Sequence, residues 1–397
     1  MADAASIPQP GILGGRGLRR AFVVLGALFL AGCDTVVPRG PAPPPPPPRI
    51  TQPQVEPGIP TDTERHRVAL LVPLSGPNAG VGQSLANATQ LALLDSRSER
   101  VRITTYDTAT GASAAAQRAI ADGNRLILGP LLGEDVRAVT PIARAARVPV
   151  VSFSNDTAAV GQGAYLMGYA PGQSIQRVVD YAKAQGITSF AGLIPNGTYG
   201  ERASTAYLRA VENARGQVVS LQTYQRVPGS ITAALTRMAK DSPYQALLIA
   251  DGGNTAANAV PVMRRIGNGG ARVLGTELWN SESAIATKPA LNGAWFASVS
   301  DNLYRQYAAK YRARFGAAPF RLSSLGYDAV LLTIRIARDW RVGTPFPEER
   351  LHDRGGFAGI DGAFRFRGDG IAERALEVQE IRGGTTVTVS AAPTGFE

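Results

Sequence analysis

The chain has one cysteine and two histidines among 397 residues. A single cysteine excludes an intramolecular disulfide framework. His66 and His352 lie far apart, and neither has a metal-ligand partner at usable spacing. No second apolar run after the first thirty residues approaches the roughly 20 residues of a membrane-spanning helix. G-x-S-x-G is missing, as is S-x-x-K with its companions, so the common serine-nucleophile arrangements have no basis. G-x-G-x-x-G is missing too, which argues against a dinucleotide. The Asp and Glu residues, 31 in all, compel no catalytic pair by their number alone. The expectation is a non-enzyme with no cofactor and no metal. The net charge of +10 would suit nucleic acid, but no basic run is interleaved with aromatics. Two readings of the charge stay open: an anionic phospholipid or cell-wall polymer as partner, or an arginine-rich solvated surface.

What is present begins with a secretory pattern. Arg16, Arg19 and Arg20 precede the apolar run from Ala21 to Leu30, which ends in Leu30-Ala31-Gly32-Cys33. A basic stretch, a short apolar core and a small-residue exit make a signal peptide over residues 1–32. The pattern follows fifteen rather polar residues, as a start codon downstream of Met1 would explain. Leu30-Ala31-Gly32-Cys33 resembles the lipobox of bacterial lipoproteins, which implies lipidation of Cys33. The alternative is a cleaved signal with a free thiol. Asp34 is similar to the inner-membrane retention signal of enterobacterial lipoproteins, and inner against outer membrane stays open. Residues 33–63 are rich in proline, with six in a row from Pro43 to Pro48. Proline locks φ and lacks an amide donor, so this segment reads as an extended arm of about 90 Å or as a plain disordered spacer.

From Arg67 onward short apolar strands alternate with helices of ten to fifteen residues. "RVALLV", "VRITTY", "RLILGP" and "VPVVSF" read as strands, with helices such as "SLANATQLALLD" and "EDVRAVTPIARAAR" between them. The alternation repeats from "SIQRVVDYAKAQG" through "RVLGTEL". It predicts α/β architecture in two lobes, each a mostly parallel sheet flanked by helices. Residues 302–315 and 322–340 read as helices, and "GAFRFRGDGIAERALEVQEI" as an antiparallel hairpin turning at Asp369-Gly370. Such sheets bind ligands beyond the carboxyl ends of their strands, so two facing lobes make a cleft. Ser75, Gly76, Asn78 and Gly80 fall in the loop after the first strand. They would hold an anion through backbone amides and Ser75, or form an ordinary turn.

"VALLVPLSGPNAGVGQSLANATQLALLD" followed by "LILGPLLGEDVRAVTPIARAARVPVVSFSND", together with "SLGYDAV" and "GFAGIDGAFRFRGDG", resembles the type I periplasmic-binding fold of the branched-chain amino-acid receptor superfamily. More narrowly, "LGPL", "VSFSND", the lipobox and the proline arm are similar to penicillin-binding protein activator lipoproteins. The resemblance implies a first lobe of residues 67–168 and 302–342, and a second of 169–301 and 343–390. It implies ligand contacts from Ser154, Asn155 and Asp156, whose alternative role is capping and turns. Tyr199 would lie over the ligand and Glu277 would hold an ammonium group. Asp251 ends a strand at the cleft edge. The loop that grips a carboxylate in amino-acid receptors corresponds to Leu131-Leu132-Gly133-Glu134. Glycine replaces the expected serine there, and Glu134 would repel a carboxylate or simply complement a helix dipole.

The function implied is that of a periplasmic lipoprotein, anchored to the cell membrane or outer membrane. It would stimulate a peptidoglycan synthase, a penicillin-binding protein, by contact. The alternative is the lipid-anchored substrate-binding protein of an ABC importer, meeting a permease with a small polar ligand such as an amino acid in its cleft. No nucleic-acid partner is expected.

Overall fold

The structure, a computed structural model, describes residues 64–266, 269–282 and 284–396. The signal segment, Cys33 and nearly all of the proline arm lie outside the described residues.

The first lobe opens with β1 (His66–Val72), α1 (Ala79–Ser96), β2 (Val101–Asp107), α2 (Ala112–Ala121), β3 (Leu126–Leu128), α3 (Gly133–Ala145), β4 (Val150–Ser152) and β5 (Ala164–Leu166). Its five strands are all parallel, in the order β2-β1-β3-β4-β5. A parallel sheet is covered on both faces, so its strands read as continuous apolar runs. In β1, Val68, Leu70 and Val72 join one core cluster, while Ala69 and Leu71 join the cluster on the other face. Each fully buried Leu or Val contributes about 1.5–3 kcal/mol.

The second lobe follows with α4 (Pro171–Ala184), β6 (Ser189–Pro195), α5 (Thr198–Asn213), β7 (Gln217–Tyr224), α6 (Ser230–Met238), β8 (Ala246–Ile249), α7 (Gly253–Arg265), β9 (Arg272–Gly275) and β10 (Trp295–Ser298). The chain then returns to the first lobe through α8 (Asn302–Phe315) and α9 (Ser324–Ile336), which pack with α1. A small antiparallel sheet comprises β11 (Phe357–Gly359), β12 (Gly362–Phe366) and β13 (Ala372–Arg374). Finally β14 (Glu377–Arg382) and β15 (Thr385–Ser390) add antiparallel strands to the second sheet, whose order is β15-β14-β10-β9-β8-β6-β7. No helix among the described residues is long and apolar enough to cross a membrane.

Three details differ from the sequence reading. Helix α1 starts at Ala79 and not at Ser84, so Gly80 is a helical rather than a loop residue, and Gly82 is helical too. A Cβ on Gly82 would meet the Pro73 carbonyl oxygen at 1.7 Å; the glycine lets the helix approach the end of β1. The Asp369-Gly370 hairpin was expected in the second lobe. Phe346, Phe357, Phe364, Phe366 and Ala372 pack instead in the first lobe's core cluster. Only β14 and β15 join the second sheet. Strands β5 and β10, three and four residues long, were not anticipated.

Candidate functional site

The chain passes between the lobes three times, at residues 167–170, 299–301 and 375–376. All three passages border one cavity of about 330 Å³. Tyr169 and Ala170, Val299, and Leu376 supply that side of it. The first lobe adds Asn78, Val81, Leu131, Leu132, Phe153, Asn155, Arg321 and Leu322. The second adds Gln173, Ser174, Glu277, Leu278, Asn280, Ser281 and Ser298, and Arg374 projects from β13. A mostly apolar wall with a few converging polar groups is the usual make-up of a small-molecule site.

A buried polar network stands beside the passages. Arg321 donates to Asp361 at 2.8 Å and to Asp301 at 3.3 Å, and its guanidinium lies 4.0 Å over the Tyr304 ring. Asp361 also accepts from the hydroxyls of Tyr169 and Ser324. Burial raises the Asp361 carboxyl, but Arg321 and Arg374 outweigh it and hold the group below its usual range. Burial and the adjacent Asp361 push Asp328 up to about 7. Burial, followed by Asp361, pushes the Tyr169 phenol upward.

A second cavity of about 380 Å³ shares Leu131, Leu132 and Asn155 with the first and includes Glu134, Arg137, Asp156, Tyr199 and Arg202. Asp156 binds Arg137 of the first lobe at 2.7 Å and Arg202 of the second at 2.5 Å. Its Oδ1 also accepts from the Ala158 amide at 3.0 Å. A Cβ on residue 133 would fall 2.5 Å from Asp156 Oδ2. The glycine expected to be a serine is therefore imposed by this carboxylate.

The structure gathers most of the residues expected from sequence, though in different roles. Asn78 and Glu277 line the first cavity, Ser154, Asp156 and Tyr199 the second, and Asn155 both. Glu277 is already engaged: Ser174 Oγ lies 2.5 Å from Oε2, and the Tyr199 hydroxyl donates to Oε1 at 3.0 Å. Burial pushes its carboxyl upward, with Ser174 and Tyr199 pulling the other way. Ser75 donates to Asp107 at 2.8 Å and lines neither cavity. Asp251 lines neither one either. It accepts two hydrogen bonds from Arg226, both at 3.0 Å, one from Tyr224 at 2.5 Å and one from the Gly252 amide at 2.8 Å. Sequence reasoning missed Tyr169, Ser174, Arg202, Arg321, Asp361 and Arg374. Arg374 shows its role only through the observed register. It pairs with Phe364 in β12, so strand alternation puts it on the same face as Phe364 and Phe366.

Comparison with known proteins extends these observations. The family model described as periplasmic binding protein matches residues 66–385. A putative branched-chain amino acid ABC transporter from Rhodospirillum rubrum superposes with a TM-score of 0.71 at 21% identity, covering 82% of this chain and 100% of that one. A solute-binding protein of an ABC transporter from Rhodopseudomonas palustris BisB5, in complex with 3,4-dihydroxy benzoic acid, gives 0.64 at 18% identity, covering 84% and 98%. A protein of Rickettsia prowazekii (strain Madrid E), described as uncharacterized protein RP748, is 24% identical over 177 residues, 44% of this chain; the match spans 47% of that relative's length. The neighbours share the two-lobed fold, and on the match across residues 66–385 the chain belongs to the periplasmic binding protein family.

Proposed function

We propose that this protein is the solute receptor of an ABC importer, held at a bacterial envelope membrane through lipid on Cys33. It acts by binding and not by chemistry. The observation that carries this reading is the cavity of about 330 Å³ bordered by all three interlobe passages. A ligand there touches both lobes and the segments about which they turn, so binding and lobe closure are linked. The descriptions of the R. rubrum and R. palustris proteins as transporter components support the same role. Contact activation of a peptidoglycan synthase, implied by the arm and lipobox, would share the anchored geometry but give this cavity no task. Calorimetry on the full chain with amino acids, organic acids and amines tests the receptor reading. Micromolar binding that lowers the radius of gyration in small-angle scattering is expected. A chain that binds no solute yet stimulates a purified synthase would replace that reading with the activator.

A further inference from the structure

We propose that the end of the first lobe where the proline-rich segment joins it docks on an anionic phospholipid surface, with a lipid phosphate seated among Arg65, Arg67 and Arg125. This does not depend on what the interlobe cavity binds.

Sheet topology gathers this end. The five strands of the first lobe are parallel, so all begin on one side, and the residues before them meet there. The His66 amide donates to the Arg100 carbonyl at 2.7 Å, and the Arg125 amide to the Arg67 carbonyl at 3.0 Å. Arg67 lies opposite Arg102 across β1 and β2. The chain beyond α9 arrives at the same place. The His66 ring stacks on Trp340 with centroids 3.9 Å apart, and Arg100 Nη1 donates to the Arg338 carbonyl at 3.5 Å.

These segments enclose a cavity of about 250 Å³, lined by Arg65, Arg67 and Arg125 with His66, Trp340 and Val342. No carboxylate stands in its wall among the described residues. Of the nearby acids, Asp339 faces Arg350 at 3.6 Å and Asp122 accepts from the Tyr106 hydroxyl at 2.7 Å. Glu64 and Glu99 remain, against Arg100, Arg102 and Arg338 beyond the wall. Arg67 Nη1 donates to the Asp122 carbonyl at 2.7 Å, which holds one guanidinium in place. Arg125 is exposed, and its side chain has no partner among the described residues. A guanidinium matches phosphate oxygens in geometry as well as charge. Val342, 40% exposed, sets an apolar contact beside the charges, as a headgroup layer accepts.

A bilayer is favoured over a soluble anion because the segment that would carry lipid on Cys33 joins the fold next to this cavity. A tether ending in the membrane keeps this end at high local concentration there; that step rests on the lipid-anchor reading. Docked so, the strands point away from the bilayer. Asn78, Leu131 and Phe153, which follow β1, β3 and β4, then keep the interlobe cavity clear of it.

The full chain carrying Cys33→Ser separates the surface from the anchor. It is sedimented with phosphatidylcholine vesicles, with and without phosphatidylglycerol. Binding at least about tenfold tighter to the anionic vesicles is expected, weakening as salt rises. Each arginine near such a surface is worth about fivefold in affinity. Arg65→Gln with Arg125→Gln should therefore lose at least about tenfold, while Arg264→Gln with Arg265→Gln in the second lobe should keep the preference. The basic segment before residue 64 is present in every sample, so the difference between the two pairs isolates the cavity, and thermal melts confirm folding. Equal loss in both pairs, or loss in neither, overturns the proposal. So does binding of inorganic phosphate in calorimetry without vesicle binding, which would make this a free-phosphate site. Retention on isolated cell-wall polymer without vesicle binding overturns it in favour of the wall. Palmitate labelling of the wild type reads the anchor separately.

Discussion

Asp156 of the first lobe lies 2.5 Å from the Arg202 guanidinium of the second and 2.7 Å from Arg137 of its own lobe. One carboxylate thereby joins the lobes away from the chain passages. Asp156→Asn removes the charge and leaves two arginines facing each other. A loss of about 1.5–3 kcal/mol in the contact is expected, seen as a larger radius of gyration in small-angle scattering. An unchanged scattering profile would mean the lobes are held by other contacts.

Two carboxyls give pH dependences of opposite sign. Burial raises Asp156, but the hydrogen bonds from Arg137 and the Ala158 amide, with Arg202, hold it below 3.8. Its stabilisation is therefore complete above the unfolded value and disappears as pH falls through the lower folded one. Asp328 is raised from 3.8 to about 7, so the folded state binds more protons between those values and stability declines as pH rises through that window. Urea midpoints across this range should fall in wild type and stay flatter in Asp328→Asn. Identical slopes would show that Asp328 does not titrate there.

Glycine 82 offers a steric test. A Cβ there would overlap the Pro73 carbonyl at 1.7 Å, whereas one on Gly270 meets nothing within 4 Å. Gly82→Ala should cost about 3 kcal/mol or more, and Gly270→Ala close to nothing. Chemical unfolding of the pair decides it; equal stabilities would show that α1 moves away from β1 at no cost.

Asp251 separates a structural acid from a ligand contact. Its partners Arg226, Tyr224 and Gly252 are all protein groups. Asp251→Asn should lower the melting temperature and leave affinity for any solute found by calorimetry unchanged. A tenfold loss of affinity at unchanged stability would return Asp251 to the site.

The proposed lipid anchor and proline arm make a prediction on cells. Cys33→Ser should abolish labelling by radioactive palmitate and release the protein from membranes. On the extended-arm reading, deleting Pro41 to Pro48 would shorten the reach by roughly 25 Å. Uptake through a permease in the same membrane should tolerate that, whereas stimulation of a distant synthase should not.

The alternation of strands and helices was legible because long periodic segments declare themselves: Gln217–Tyr224 and Asn302–Phe315 fall where the pattern puts them. Strands β5 and β10 each follow the preceding strand without an intervening α-helix, so they break the alternation that marks the others. The site was harder. Asp251 looks like a cleft residue because it follows β8, yet Tyr224 and Arg226 close over its carboxylate and Trp279 donates to its carbonyl. Those partners are distant in sequence. Arg374 looks like a solvated strand residue until its register opposite Phe364 is known. Charge alone does not reveal the face a strand residue occupies.

The order of elements also governs when this molecule can be completed. Strand β10 gains its outer neighbour only from β14, which pairs it antiparallel and in turn carries β15. The first core likewise awaits Phe357, Phe364 and Phe366, although its own sheet is spelled out by residue 166. A chain emerging from its amino end therefore holds two unfinished cores at once until residues near 380 are free. Pairings this remote in sequence form slowly and leave apolar surface exposed meanwhile. Truncation before β14 should then impair secretion yield more than the number of residues removed would suggest.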